Sequence, residues 1–253
     1  MPFKIVAHRG VRVRAPGNTV AAFRAALDLG VDAVELDVRL SRDLVAIVHH
    51  DFYLDGDAPV AVPIFECTAD QLRRERVTEA HDDLPTSEPI PTLAEVVEEF
   101  AGKLALEIEL KGPEPEAPAA VAAVLAPFRS SWSDFELTSS QPSLLAAVRE
   151  RCPGIPTALL FPPSEPWMGL DVVAYAALHY ARQAHARAVH LHPRQLSVDV
   201  ATTIRAGGIE IHAHSVNDEA ALELAAELGV NWICTDAPER ALSFRRERSS
   251  RAH

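Results

Sequence analysis

The chain has 253 residues, 48% of them hydrophobic, enough for one large domain or two small ones around a buried core. With 36 acidic residues against 24 basic ones the net charge is -12, which argues against non-specific binding to nucleic acid or insertion into an anionic membrane as the main activity. There is no run of about 18 apolar residues to span a bilayer, and the first residues lead straight into a strand-like segment, so a cytoplasmic setting is expected.

The run 4–7 is short and β-prone and ends in His8-Arg9-Gly10, where the glycine lets the backbone turn sharply. Residues 19–29 read as a helix capped by Asn18 or Thr19 and closed by Gly30. In the second strand, 33–40, alternation puts Glu35 and Asp37 on one face and Val34, Leu36 and Val38 on the other. The rhythm then breaks. A β-prone stretch ends in His49-His50-Asp51 and a Pro- and acid-rich passage follows, which reads as an insertion over residues 45–91 that can cover a site. Further strands are expected at 104–110, 135–138, 157–161, 188–191, 209–213 and 232–234. The helices expected between them are 92–100, where Thr92 and Glu95 form a capping box, then 116–126, 143–151, 198–206 and 218–228, the last ended by Gly229. Trp167 and Met168 lie in a Pro-rich passage that reads as a loop anchored by one large apolar residue, with a flap over the site as the alternative, and the charged residues 245–253 read as a disordered tail. Cys67, Cys152 and Cys234 are too scattered for a disulfide framework or a thiolate zinc site.

Strand and helix alternating eight times over this length predicts a (β/α)₈ TIM barrel spanning residues 1–244, with a doubly wound open sheet as the alternative. The positions of the polar groups favour the barrel. His8, Asp37, Glu109 with Lys111, Ser139, His192, His214 and Asp236 each fall at or just past the end of a different run, where barrels assemble their sites.

Glu35 and Asp37 repel one another unless something positive lies between them, and with Glu109 they form a three-carboxylate set that suits Mg²⁺ or Ca²⁺ better than zinc. Glu107 shares the face of Glu109. His8 and His50 beside such a cation can work as an acid and base pair, while Arg9 and Lys111 supply charge suited to a phosphate. On these residues alone a sugar isomerase or lyase barrel remains an alternative, though the cations and paired histidines describe phosphoryl chemistry better. His190 with His192, and His212 with His214, share faces of two strands, and ordinary hydrogen-bonded histidines or a second metal or anion pocket would each account for them.

An ordered set of segments resembles the glycerophosphodiester phosphodiesterase family: His8-Arg9-Gly10, Pro16-Gly17-Asn18-Thr19 with Ala22-Phe23, Gly30-Val31-Asp32 leading to Glu35-Leu36-Asp37-Val38, His50-Asp51, Glu109-Leu110-Lys111 and Thr235-Asp236-Ala237-Pro238. The resemblance covers nearly the whole chain. It implies a TIM barrel and divalent-metal-dependent cleavage of a small-molecule glycerophosphodiester to glycerol 3-phosphate and an alcohol. It further implies Glu35, Asp37 and Glu109 as metal ligands, Arg9 and Lys111 as phosphate ligands, and His8 and His50 as the proton-transfer pair. Three positions depart from the family pattern: Gly17 stands where a Glu is usual, and Gln141 and His214 replace aromatics that would pack on the glycerol end. Gln141 and His214 are therefore the expected sites of altered substrate choice, and a barrel that binds a phosphodiester without cleaving it is the non-enzymatic alternative.

Overall fold

A computed structural model describes residues 3–54, 62–78 and 87–251. The strands in chain order are β1 (Lys4–His8), β2 (Ala33–Leu40), β3 (Ala46–Val48), β4 (Arg76–Thr78), β5 (Ser87–Pro89), β6 (Ala105–Leu110), β7 (Phe135–Ser139), β8 (Thr157–Leu160), β9 (Ala188–Leu191), β10 (Glu210–Ala213) and β11 (Trp232–Thr235). Eight of them form a parallel barrel in the order β1-β2-β6-β7-β8-β9-β10-β11, closed where Lys4 pairs with Trp232 and Val6 with Ala33. The open sheet is thereby excluded.

The helices are α1 (Val20–Leu29), α2 (Ala69–Leu72), α3 (Leu93–Phe100), α4 (Ala117–Leu125), α5 (Pro142–Arg151), α6 (Leu170–Gln183), α7 (Val198–Ala206), α8 (Glu219–Glu227) and α9 (Pro238–Arg251). Their ends follow local chemistry. Thr19 accepts the Ala22 N–H to start α1, and Gly30, left-handed at φ 79°, returns its own N–H to Ala26 and Leu27 to end it. Thr92 and Glu95 form the expected reciprocal capping box on α3. Between barrel and helices lies the main core, where Phe23 of α1 meets Phe100 of α3 edge to face at 6.0 Å.

The passage between β2 and α3 is built on β3, which lies antiparallel on β2 with Val48 opposite Val38. Ile47, Ile64, Ala69, Leu72 and Ile90 give it a small core of its own. The rest of the expected insertion, 55–61 and 79–86, lies outside the described residues.

One expectation is corrected. Residues 245–251 are not a disordered tail but the end of α9, held because Phe244 stacks on Phe3 and Arg245 pairs with Asp32. In the loop before α6, Met168 packs against the core while Trp167 is 70% exposed, so the methionine is the anchor. Among the described residues no helix is long and apolar enough to cross a membrane.

Candidate active site

β2 is buried along its whole length, its inward residues Glu35 and Asp37 included, and β6 places Glu109 directly opposite Asp37. One donor oxygen from each of the three lies within 4.8 Å of the others. Arg9 and Lys111 offset the resulting repulsion. Arg9 Nε lies 3.0 Å from Asp37 Oδ2, and Lys111 Nζ is 3.1 Å from Asp37 Oδ1 and 3.0 Å from Glu109 Oε2. Asn18 fixes the aspartate from both sides, donating Nδ2 to Oδ2 at 2.8 Å and accepting the Asp37 backbone N–H at 3.1 Å. The Arg9 backbone N–H donates to Glu35 Oε2 at 3.1 Å.

Burial pushes Glu35 well above the usual carboxylate range, and the neighbouring Asp37 and Glu109 push the same way. Burial raises Glu109 too, against the pull of Lys111. For Asp37 burial works upward as well, but Lys111 and Arg9 together outweigh it and hold the group ionised and low. Asp37 Oδ1 is buried and makes no hydrogen bond among the described residues. An all-oxygen donor set of three buried carboxylates fits a hard divalent cation, whose charge would remove the mutual repulsion of all three acids.

The two expected histidines are oriented in the same way. His8, at the end of β1, meets Asp236 Oδ1 through Nδ1 at 2.6 Å, and His50, just after β3, meets Asp51 Oδ1 through Nδ1 at 2.8 Å. Each therefore leaves Nε2 for proton transfer. Nε2 of His8 lies 3.8 Å from Glu35 Oε2. Burial lowers the pKa of His50, with Lys111 and Arg9 adding to it and Asp37 and Asp51 opposing, which favours a neutral ring near pH 7.

A cavity of about 330 Å³ opens beside this cluster, lined by His8, Glu35 and Glu109 on one side and by Leu160, Phe161, Pro162, Pro163 and His214 on the other. His214 belongs to that wall, its Nδ1 3.2 Å from Ser215 Oγ, and burial drives its pKa down to about 3. Gln141 does not: it precedes α5 without a side-chain capping bond, and its amide donates to the Lys111 carbonyl at 3.0 Å. Gly17 faces arginines, since a side chain there would meet Arg9 Cβ at 3.2 Å and Arg12 Cδ at 3.4 Å.

Sequence reasoning misses two supporting groups. Arg39, on the same face as Asp37, donates Nε to the His50 carbonyl at 2.6 Å and Nη1 to the Gly112 carbonyl at 3.2 Å, tying the insertion to the loop after β6. Period-two spacing from Asp37 is its only signal. Asn217 donates to Asp236 Oδ2 at 2.8 Å and accepts the Asp236 backbone N–H at 2.8 Å, so the partner of His8 is itself held.

Deeper in the barrel lies a second polar cluster of Glu107, Glu136, His190 and His212, all buried. Burial works against charge on His212, but Glu136 overrides it and raises the imidazole to about 9. The same two histidines outweigh burial at Glu136 and hold it well below the ordinary carboxylate range. His192 is a cap, accepting the Arg194 N–H at 3.1 Å.

Residues 8–240 match the glycerophosphoryl diester phosphodiesterase family. The chain belongs to that family. It thereby falls among the phosphoric diester hydrolases. A glycerophosphodiester phosphodiesterase of Bacillus altitudinis is 29% identical, with 96% of this chain and 98% of the relative covered. The crystal structure of a glycerophosphodiester phosphodiesterase from Agrobacterium tumefaciens superposes with a TM-score of 0.74 at 27% identity, covering 93% of this chain and 97% of the other. An Oleispira antarctica phosphodiesterase, solved with the product sn-glycerol-3-phosphate, shares the fold with a TM-score of 0.76 at 24% identity, covering 95% of each chain.

Proposed function

We propose that the chain hydrolyses a glycerophosphodiester to glycerol 3-phosphate and an alcohol. The convergence of His8, Arg9, Glu35, Asp37, His50, Glu109 and Lys111 on one barrel rim carries this reading. Glu35, Asp37 and Glu109 would hold Mg²⁺ or Ca²⁺, which supplies charge to offset that on the phosphoryl oxygens. Arg9 and Lys111 bind and orient the phosphate, Arg9 through its planar fork and Lys111 as a point charge. One histidine of the His8 and His50 pair takes the proton of a glycerol hydroxyl as that oxygen bonds to phosphorus, and the other gives its proton to the departing alcohol. The cyclic phosphate is then opened by water with the two roles exchanged. The apolar wall at Leu160, Phe161 and Pro162, with the neutral His214 ring, holds the group at one end of the diester. Three cysteines without disulfide partners fit the cytoplasmic setting expected for the chain.

Purified protein incubated with glycerophosphocholine, glycerophosphoethanolamine or an aryl phosphodiester tests the proposal. Release of a phosphomonoester that stops on adding EDTA and resumes with Mg²⁺ or Ca²⁺ supports it. Absence of turnover on all three with either cation rejects it, and binding without turnover would mark a non-catalytic barrel.

A further inference from the structure

The buried cluster beneath the rim has the form of a second metal centre. Glu136 of β7, His190 of β9 and His212 of β10 turn one donor atom each toward a common point: His212 Nδ1 is 3.1 Å from Glu136 Oε2 and 3.1 Å from His190 Nε2, and His190 Nε2 is 3.5 Å from Glu136 Oε2. Tetrahedral zinc with bonds of about 2.0–2.1 Å requires ligand atoms about 3.3 Å apart, which is the triangle these atoms make. The three side chains are 1% exposed or less.

The outer contacts agree. His190 turns Nδ1 toward Glu107 Oε1 at 3.7 Å, and His212 turns Nε2 toward Glu210 Oε2 at 3.8 Å, so each ring has a carboxylate behind it, just beyond hydrogen-bond distance. Arg187 donates to the other oxygen of Glu136 at 3.0 Å. Glu136 Oε2, Glu107 Oε2, His190 Nδ1 and His212 Nε2 are all buried without a hydrogen bond among the described residues. The ion-pair contacts leave these atoms short of hydrogen-bond partners, a shortfall that a bound cation would reduce.

We infer that Glu136, His190 and His212 form a binding site for a borderline first-row divalent cation of the zinc class, distinct from the all-oxygen site at the rim. Two imidazoles and one carboxylate suit zinc, whereas Glu35, Asp37 and Glu109 suit magnesium or calcium. The site joins β7 to β9 and β10 across the barrel, and its ligands come from strands rather than loops, so its role is structural. It stands whether or not the rim hydrolyses a glycerophosphodiester.

The test uses the full chain, stripped with chelator, incubated with excess zinc chloride and desalted. Wild-type protein is expected to retain one zinc whose X-ray absorption shows two imidazole ligands, and to melt at a higher temperature with zinc than with magnesium. The Glu35→Ala/Asp37→Ala variant is expected to retain that zinc, while His212→Gln and Glu136→Gln lose at least tenfold in affinity. Glu107→Gln, which alters the group behind His190 and none of the three ligands, should weaken binding by about 10-fold and guards against variants that fail to fold. Zinc without imidazole ligation in the wild type, zinc lost with Glu35 and Asp37, or undiminished zinc in His212→Gln would each overturn the assignment.

Discussion

The barrel holds two carboxylate clusters that meet on β6, where Glu109 belongs to one and Glu107 to the other, and they differ in what surrounds them. At the rim, Glu109 and Asp37 meet Lys111 and Arg9 and border a cavity of about 330 Å³. One pleat deeper, Glu107 and Glu136 meet His190 and His212, with Arg187 on Glu136. The upper cluster joins excess acid to access for substrate. The lower one balances acid with imidazole, and of its four members Glu107 alone lines that cavity. The roles proposed for the two clusters divide the same way, with chemistry at the rim and cohesion below it.

The separation breaks first at the carboxylates. Replacing both Glu35 and Asp37 by Ala removes two of the three rim acids, so phosphodiester cleavage should fall by about 10³-fold or more, judged against the loss of a single preorganised electrostatic group. Circular dichroism should show the fold retained, because the lower cluster is untouched. Activity equal to wild type would show that the rim acids hold no catalytic cation.

Next come the histidines. His8→Ala or His50→Ala should each lower kcat by about 10²-fold to 10⁴-fold with little change in KM, since general acid and base groups act on the transition state. Removing His190 or His212 should instead lower the melting temperature at fixed catalytic parameters in whatever protein remains folded. A large kcat loss in His212→Gln at unchanged stability would erase the distinction.

Much of this was open to reading in the chain itself. Parallel barrel strands are apolar runs that end in reactive side chains, so His8, Asp37, Glu109 and Lys111 declare both strand ends and rim. The lower cluster is less legible. Glu136 and His212 are 76 residues apart in a chain whose registers are not written in any one strand, and only closure of the barrel brings them to 3.1 Å. The same holds for His8 and Asp236, separated by 228 positions. The place of Gln141 is not legible either, because its flexible amide turns to the Lys111 carbonyl, a contact that only the folded chain brings within reach. The helical end of α9 is hidden by its charge, because the contacts that hold it, to Phe3 and Asp32, lie at the other end of the sequence.

A smaller effect is expected at Asp236. Its Nδ1 contact fixes the His8 tautomer, and an amide in its place can donate to Nδ1 and turn the proton to Nε2, so Asp236→Asn should lower kcat by about 10-fold to 10²-fold. The matching change Asp51→Asn tests His50 in the same way. If both variants keep wild-type rates, the carboxylates behind the histidines are fixtures of the rim and not positioning groups.

The least effect concerns acid stability, and again the rim group is the one to watch. The hydrogen bond from His8, aided by His8 and Arg12 charge and by Asn217 against partial burial, lowers Asp236 from 3.8 to about 2. A carboxyl lowered on folding stabilises the native state fully above its unfolded value, and that contribution fades as pH falls from 3.8 through about 2. The shift alone would be worth about 2 kcal/mol. Solvent screening of a side chain 39% exposed reduces this to about 1 kcal/mol. Denaturant unfolding of wild type and Asp236→Asn should therefore differ by about that amount at pH 5 and converge toward pH 2. A gap that stayed constant across that range would mean that Asp236 supports the rim through packing or neutral hydrogen bonds, and that its charge is held for His8 alone.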